Sequence, residues 1–470
     1  MSTYNRVVAA DENASLAPTV RARLATDLSG TFVARNNIAG TATPWIIPHK
    51  GGLAVAPEHT DEAYRASLAS GFKWLDLDLN LLADGSLANH HDSTVDAITT
   101  STGNTADFTP PEWLNLKIDA GTWFAPAWPL DMHTTLGVDV LRRFSTTGVF
   151  IIENKSSGYM QKTVDAILDE GLQKSAILSG ANLSDLADAT AAGIAAGHIT
   201  NTPDAAAMLA AGVEYAIISI AVADSIITDA VTAGLKVIVW NVATRVAYAR
   251  GLSLGAIGFY CDDPEWVSGG GETGKADFTQ QTWLPGMTIG VGSRGAFIGS
   301  GKWSPVISSG DNATLLMGPL CKATPATTYT LAGSIFFDAY SASAGATVGV
   351  HICEATDDPY KEQVGGATYL DGYLVNIDGG GTLKIFRTDS SNNTKTMVAG
   401  LAGVVATADG TEAKLEITVT PTTITAVVTN GLNTTPIVAT DSAYRGGYVH
   451  TTHLGLAGTL WASFKGWTRV

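Results

Sequence analysis

The sequence predicts two folded units of different class, an α/β unit that is a (β/α)₈ TIM barrel and then an all-β sandwich. Three observations carry this. Between Trp45 and Trp266, short β-branched runs alternate with alanine-rich helical segments. A glycine-rich stretch, "SGGGETGKAD" (268–277), follows. Beyond it, strand-like runs continue between Gly, Asn, Asp and Thr turns, with no helical pattern among them. The chain therefore divides into an N-terminal arm (1–44), a barrel (45–267), a linker (268–277) and a sandwich (278–470). A length of 470 residues accommodates this, since roughly two to four domains fit such a chain.

Composition narrows the possibilities. With 45% hydrophobic and 15% charged residues, both units have ample core. A net charge of −16 argues against nucleic acid and against anionic membrane surfaces as partners. No apolar run approaches the roughly 20 residues that span a bilayer. The opening "MSTYNRVVAADENASLAP" lacks the basic start and apolar stretch of a secretory signal, so export by that route is not expected. Cys261, Cys321 and Cys353 are too few for a disulfide scaffold and lack zinc spacing. Buried free thiols are expected, with a Cys321–Cys353 pair as the alternative.

Taken in order, the arm holds one helical patch, "SLAPTVRARLATDL", which Ser15 or Pro18 could open. The barrel strands are read as "WIIPHKG", "KWLDLDLN", "VFIIENK", "SAILSG", "IAAGHIT", "EYAIISI", "KVIVWNV" and "AIGFYCDD". Helix candidates between them include "TDEAYRASLASG", "YMQKTVDAILDEG", "DLADATAAG" and "TRVAYARGLSLG". An open doubly wound sheet usually has fewer strands and a glycine-rich first turn, which is absent here. In the sandwich the strand runs include "TYTLAGSIFFDAY", "TVGVHICEA", "TLKIFRT" and "AKLEITVTPTTITAVVT".

Function in such a barrel sits at the C-terminal ends of its strands. Those ends carry His49, then Asp76 and Asp78, then Glu153 and Lys155. Side chains two apart on a strand share a face, so Asp76 and Asp78 point together, and Glu153 and Lys155 likewise. Carboxylates buried side by side are costly unless a cation compensates them. All-oxygen ligands select a hard divalent ion, Ca²⁺ or Mg²⁺, over zinc. After the second strand, "LLADGSLANHHDST" turns at Asp84-Gly85 and returns as a short strand that brings His91 over the mouth, with His90 as its rival. His49 and His91 then form an acid and base pair, and Lys50 and Lys155 offer positive charge to a phosphate. The set suits hydrolysis of a phosphodiester. The plainer readings are a solvated acidic strand face, packed histidines, a Glu153–Lys155 ion pair and a Trp240 that only fills space.

In order and spacing these motifs resemble the glycerophosphodiester phosphodiesterase family over nearly the whole barrel. Its His-Arg-Gly and Pro-Glu-Asn-Thr correspond to "HKGGLAVAPEHT", and its Glu-Leu-Asp strand to "DLD". Its Asp-Gly turn followed by His-Asp matches Asp84-Gly85 and His91-Asp92, its Glu-x-Lys strand matches "IIENK", and its late Trp strand matches "VIVWNV". "DFTPPEWLNLKIDAGTWF" is similar to the family segment leading to Asp-Ala-Gly, and "WLNLKIDAGTWFAPAWP" could form a lid. The resemblance implies His49 and His91 as the catalytic pair and Asp76, Asp78 and Glu153 as metal ligands, with Glu58 in or beside the site. It places Lys50, Lys155 and Trp240 against the substrate. Three positions depart from the pattern: Lys50 stands for an arginine, His59 for an asparagine and Asp76 for a glutamate.

The arm's "DENASLAPTVRARLATDL" resembles the opening of minor tail proteins of tailed bacteriophages. This implies a virion protein that meets other tail-tip proteins through residues 1–44, as a homo-oligomer with a trimer as one option. Its target would be a glycerophosphate-containing cell-wall polymer, lipid headgroup or glycan of the host. The terminal sandwich, ending in "LWASFKGWTRV", vaguely resembles glycan-binding sandwiches of lectin or jelly-roll type, with Trp303, Trp461 and Trp467 as core or stacking residues. Two other expectations stand beside the virion-borne enzyme: a receptor-binding module that keeps the site but turns over poorly, and a free cellular phosphodiesterase.

Overall fold

The computed structural model describes residues 37–52, 56–119, 132–155, 158–262 and 264–269 of the barrel region. Beyond these it describes 293–297, 303–307, 314–323, 327–337, 347–357, 369–407, 410–454 and 463–469. The expected arm helix, the stretch 120–131 of the expected lid, most of the linker and Trp461 lie outside the described residues.

The barrel region begins with β1 (Trp45–Pro48), α1 (Asp61–Ala69) and β2 (Trp74–Leu81). It continues through β3 (Leu87–Asn89), α2 (Pro110–Asn115), β4 (Thr135–Leu136), α3 (Gly137–Phe144) and β5 (Val149–Asn154). Next come α4 (Met160–Asp169), β6 (Ala176–Gly180), α5 (Ala187–Ala191), β7 (Ala195–Ile199), α6 (Ala205–Ala210) and β8 (Tyr215–Ser219). The region closes with α7 (Asp224–Thr232), β9 (Lys236–Trp240), α8 (Arg245–Ser253), β10 (Gly258–Cys261) and α9 (Pro264–Ser268). The last helix thus runs one residue into the stretch assigned to the linker.

One sheet carries all ten strands, in the order β1-β10-β9-β8-β7-β6-β5-β2-β3-β4. The eight strands read from the sequence are its parallel members, and they follow one another around a curl of TIM-barrel type. β1 and β2 meet at the seam. There the Trp45 and Trp74 rings lie 4.4 Å apart, and the Lys50 amide donates to Asp76 Oδ2 at 2.7 Å. The returning strand β3 pairs antiparallel with the end of β2, Leu79 opposite Asn89 and Leu81 opposite Leu87.

Alternation along the strands separates two cores. Leu75, Leu77 and Leu79 of β2 and Phe150 and Ile152 of β5 face outward, where they pack under helices with Tyr64, Val140 and Ile167. The inward face starts apolar, with Trp45, Trp74, Val149, Ile151, Tyr215 and Ile238 filling the curl. It becomes acidic only toward the strand ends, at Asp76, Asp78 and Glu153. The apolar plug thus forces the charged groups to the C-terminal mouth. Helix starts are set locally: Thr60 accepts from the Ala63 amide ahead of α1, with Asp61 and Glu62 in its first turn. Thr109 and Glu112 form a capping box on α2.

The C-terminal region forms two antiparallel sheets. One runs Ser293–Phe297, Trp303–Ile307, Ser463–Arg469, Tyr329–Phe337, Thr411–Val419, Ile424–Val428, Ile437–Ala439. The other runs Thr314–Ala323, Gly447–Leu454, Thr347–Glu354, Gly372–Asp378, Leu383–Asp389, Thr394–Leu401. Leu331, Ile335, Leu415 and Trp467 of the first share a core with Val350, Val375 and Ile385 of the second. Trp467, 1% exposed, is therefore a packing residue. The described strands establish a two-sheet sandwich and no narrower lectin or jelly-roll type. Cys353 is a buried free thiol, and Cys261 is buried with its Sγ 3.5 Å from Phe259 O.

Candidate active site

β1 ends at Pro48 and the chain turns sharply through His49–Gly51, with Lys50 in the left-handed region at φ 53°. Gly51 is required there. Its φ is +89°, and a Cβ would come within 2.8 Å of Ala63 Cβ. The turn aims His49 across the mouth at Asp262, just past β10, and His49 Nδ1 lies 2.6 Å from Asp262 Oδ1. Burial pulls the His49 pKa down, but the hydrogen bond and charge of Asp262, with Asp76 beyond, outweigh it and leave the pKa raised. Nδ1 is thereby committed to Asp262, and Nε2 is the nitrogen left to act.

Asp76 and Asp78 are both 3% exposed, and their environments push them apart. Asp78 Oδ2 receives His59 Nε2 at 2.9 Å, and its Oδ1 lies 3.8 Å from Lys155 Nζ. Burial opposes its ionisation, yet His59, Lys155 and His91 hold its pKa well below the carboxylate range. Asp76 has the Lys50 amide but lies beside an ionised neighbour. Burial and the Asp78 charge raise it to about 7. Glu153 stands opposite Asp78 on the next strand. Burial and Asp78 raise its pKa too, although Lys155 Nζ donates to its Oε1 at 2.8 Å. Lys155 is pulled down by burial and raised on balance by Asp78 and Glu153.

His91 reaches the mouth from the loop after β3. The Asn80 side-chain amide lies within bonding distance of three successive carbonyls, His90 at 3.0 Å, His91 at 3.3 Å and Asp92 at 3.1 Å. His91 Nδ1 lies 2.7 Å from Asp92 Oδ1, and the ring is near enough to favour the charged forms of Asp78 and Glu153. His90 turns away. It is fully buried, bonded through Nε2 to Thr94 O at 2.8 Å and set edge-on to Trp113.

Lys50 Nζ donates to both oxygens of Glu58, at 3.3 and 3.2 Å. Glu58 is therefore an ion-pair partner, 6% exposed, in this arrangement. Trp240 closes β9 against the interior cluster, and its indole Nε1 is buried with no hydrogen-bond partner among the described residues. All nine residues singled out in the sequence thus gather at or beside the mouth. Among the described residues, however, no three His, Cys, Asp or Glu side chains stand close enough to hold a metal ion. The ammonium of Lys155 supplies the positive charge between Asp78 and Glu153 that an ion was expected to supply.

Asp262, Asp92 and His59 are site residues that the sequence reading did not give a role. Asp262 had a signal, a carboxylate directly after the last barrel strand in "FYCDD". His59 had one too, as a titratable residue in place of the motif asparagine. It sits with φ 56°, its Nδ1 3.0 Å from the Tyr64 hydroxyl. That hydroxyl donates in turn to Asp76 O at 3.0 Å.

Fold and site together define a TIM-barrel-like domain with an acidic mouth flanked by two carboxylate-paired histidines. Residues 49–266 match the Glycerophosphoryl diester phosphodiesterase family, and this stretch is a domain of that family. Among relatives, the glycerophosphodiester phosphodiesterase of Caldanaerobacter subterraneus is 31% identical over 149 residues, 30% of this chain and 60% of that protein. Glycerophosphodiester phosphodiesterase 1 of Bos taurus is 44% identical over 121 residues, 26% of this chain and 36% of the relative. A Bacillus subtilis glycerophosphodiester phosphodiesterase is 31% identical over 117 residues, 23% of this chain and 39% of the relative. The chain thus spans between 36% and 60% of these relatives' own lengths. A solved Oleispira antarctica phosphodiesterase in complex with the product sn-glycerol-3-phosphate is 21% identical, with a TM-score of 0.43, covering 48% of this chain and 95% of that one.

Proposed function

We propose that the barrel hydrolyses glycerophosphodiesters, with His49 and His91 as its acid and base. The observation that carries this is the pairing of each histidine's Nδ1 with its own carboxylate, Asp262 and Asp92, beside buried acids. Each ring is fixed in orientation and leaves Nε2 for proton transfer. His49, its pKa raised, keeps its proton toward neutral pH and gives it to the leaving alcohol. His91 takes the proton of the attacking oxygen. Lys50 and Lys155 would face the phosphate, and Trp240 would line the pocket beside the alcohol it carries.

Family members generally use divalent metal ions, and the residues present fit one in kind. Their donors are all oxygen, and Asp76 at about 7 is a buried carboxyl short of compensating charge. Asp76, Asp78 and Glu153 would hold Ca²⁺ or Mg²⁺, Glu153 exchanging Lys155 for it, with Glu58 beside them. When bound, the ion supplies positive charge where the phosphate gains negative charge in the transition state.

The test compares full-length wild type with His49→Ala and His91→Ala on a small glycerophosphodiester and on a glycerophosphate polymer. Each substitution is expected to cost about 10²–10⁴ in rate with the fold intact. A second reading, a recognition module with poor turnover, is favoured by the engagement of both lysine ammoniums with glutamates. Polymer binding by wild type without any metal-dependent product would establish it.

The wider setting rests on the arm's resemblance. Residues 1–44 would attach an oligomer, a trimer among the options, to phage tail-tip proteins. The sandwich would add glycan contacts on the host surface. A free cellular phosphodiesterase fits the family domain equally well. Native purification decides between them: the chain in virions supports the first, and the chain found only in host cytosol overturns it.

A further inference from the structure

α8 follows β9 and α9 follows β10, so both helices begin on the mouth side of the barrel. Asp357, three residues past the Glu354 end of its sandwich strand, is fully buried and bonds to the first residues of α8 and to Trp266 of α9. Its Oδ2 accepts from the Arg245 amide at 2.5 Å and from Trp266 Nε1 at 2.9 Å, and its Oδ1 accepts from the Val246 amide at 3.1 Å. Burying a carboxylate is costly, and here two amides of a helix start and an indole N–H offset the cost.

The surrounding contacts extend the clamp. The Tyr448 ring meets Trp266 at 6.0 Å and is buried in the core formed by the barrel's strands and helices. On the barrel side, the Arg245 guanidinium lies 3.7 Å from the centre of the Trp266 ring, and its Nε donates to Trp266 O at 2.8 Å. The loop that carries Asp357 has a fixed base. Glu354, 1% exposed, lies 2.8 Å from His351 Nδ1, and His351 Nε2 lies 2.8 Å from Thr388 Oγ1.

Trp266 shares the short segment "CDDPEW" with Asp262, the partner of His49. We propose that the sandwich is a positioning element of the barrel's active site: through Asp357 it holds the 262–266 segment, and with it Asp262 on His49. The proposal rests on the reading that His49 works in the mouth. It makes Asp357 a positioning residue that touches no substrate.

The test uses the full chain with Asp357→Ala and Asp357→Asn, read by steady-state kinetics on a glycerophosphodiester and by peptide-level hydrogen exchange. Asp357→Ala is expected to lower kcat by about 10- to 10²-fold, because small displacements of an acid group are that damaging. KM should stay within about twofold, since the lysines that face the phosphate are not disturbed. Asp357→Asn, which keeps one acceptor oxygen, should recover part of kcat. Exchange should quicken by about 10-fold or more in peptides covering 242–250 and 258–268, while those covering 74–81 and 149–154 keep their protection. Unchanged protection at 258–268 overturns the clamp. Local loosening with unchanged kcat overturns its link to Asp262, and loosening throughout the barrel reduces Asp357 to a general stabilising role. If wild type shows no turnover, local loosening supports the clamp and the hydrolase reading alone falls.

Discussion

His49 shows how one imidazole's surroundings set its task. Burial alone would discharge the ring, and Asp262 reverses that balance. A histidine with a raised folded pKa adds stability below its unfolded value of about 6.5, and loses it as pH rises through the folded value. The same shift would keep His49 charged toward neutral pH in its proposed role as general acid. Asp262→Asn removes the charge but keeps a hydrogen-bonding group, so burial should dominate and the His49 pKa should fall. The alkaline limb of the pH profile of kcat/KM is then expected to move to lower pH. An alkaline limb that stays in place would remove His49 from the acid role. This pair also marks a limit of what the chain reveals on its own. His49 was legible because it stands where a barrel strand ends, whereas Asp92, though it adjoins His91 in the motif, was given no role. Asp262 lies 213 residues from His49, and only closure of the curl between β10 and β1 brings the two together. The opposing fates of Asp76 and Asp78 were equally hidden, since they depend on which carboxylate His59 and Lys155 reach.

β2 is the element on which the site is built. Its alternation of Leu75, Leu77 and Leu79 with Asp76, Asp78 and Asn80 was legible because a strand's period of two sorts side chains onto two faces. So were the eight parallel strands, whose β-branched runs are short and separated by helical text. β3, with three residues and almost no periodicity, was legible only through the Asp84-Gly85 turn before it, and the two-residue β4 was not legible at all. What joins the returning strand to the site is Asn80, whose amide gathers the carbonyls of residues 90–92. Asn80→Ala leaves these part-buried carbonyls without that donor, and about 1–3 kcal/mol of stability should be lost in chemical denaturation. The loop bearing His91 should move as well, so kcat is expected to fall further than Asn154→Ala, a change on the outward face, lowers it. Equal losses from the two variants would show that Asn80 only supports the fold.

At the scale of the whole molecule, a chain of net charge −16 gathers three acids at one end of its barrel. In the absence of a divalent ion, Asp76 takes the strain by holding its proton to about pH 7. The sign follows from linkage. The unfolded carboxyl ionises at about 3.9, so the native state is favoured at low pH, and that advantage is lost as pH rises from there to about 7. A bound divalent ion must displace the proton, so its stabilising effect should grow over the same window. With ion at a hundredfold excess over Kd, the gain is about 2.7 kcal/mol by mass action. Thermal unfolding of the full chain with and without Ca²⁺ or Mg²⁺ should therefore show a rise in Tm that is larger at pH 8 than at pH 5. Asp76→Asn should raise Tm at pH 8 in the absence of ion, because it removes the repulsion of Asp78, and should diminish the ion's effect. No ion-dependent rise at pH 8 would mean that Lys155 is the lasting counter-charge of Asp78 and Glu153, and that the mouth works on its own ammonium groups.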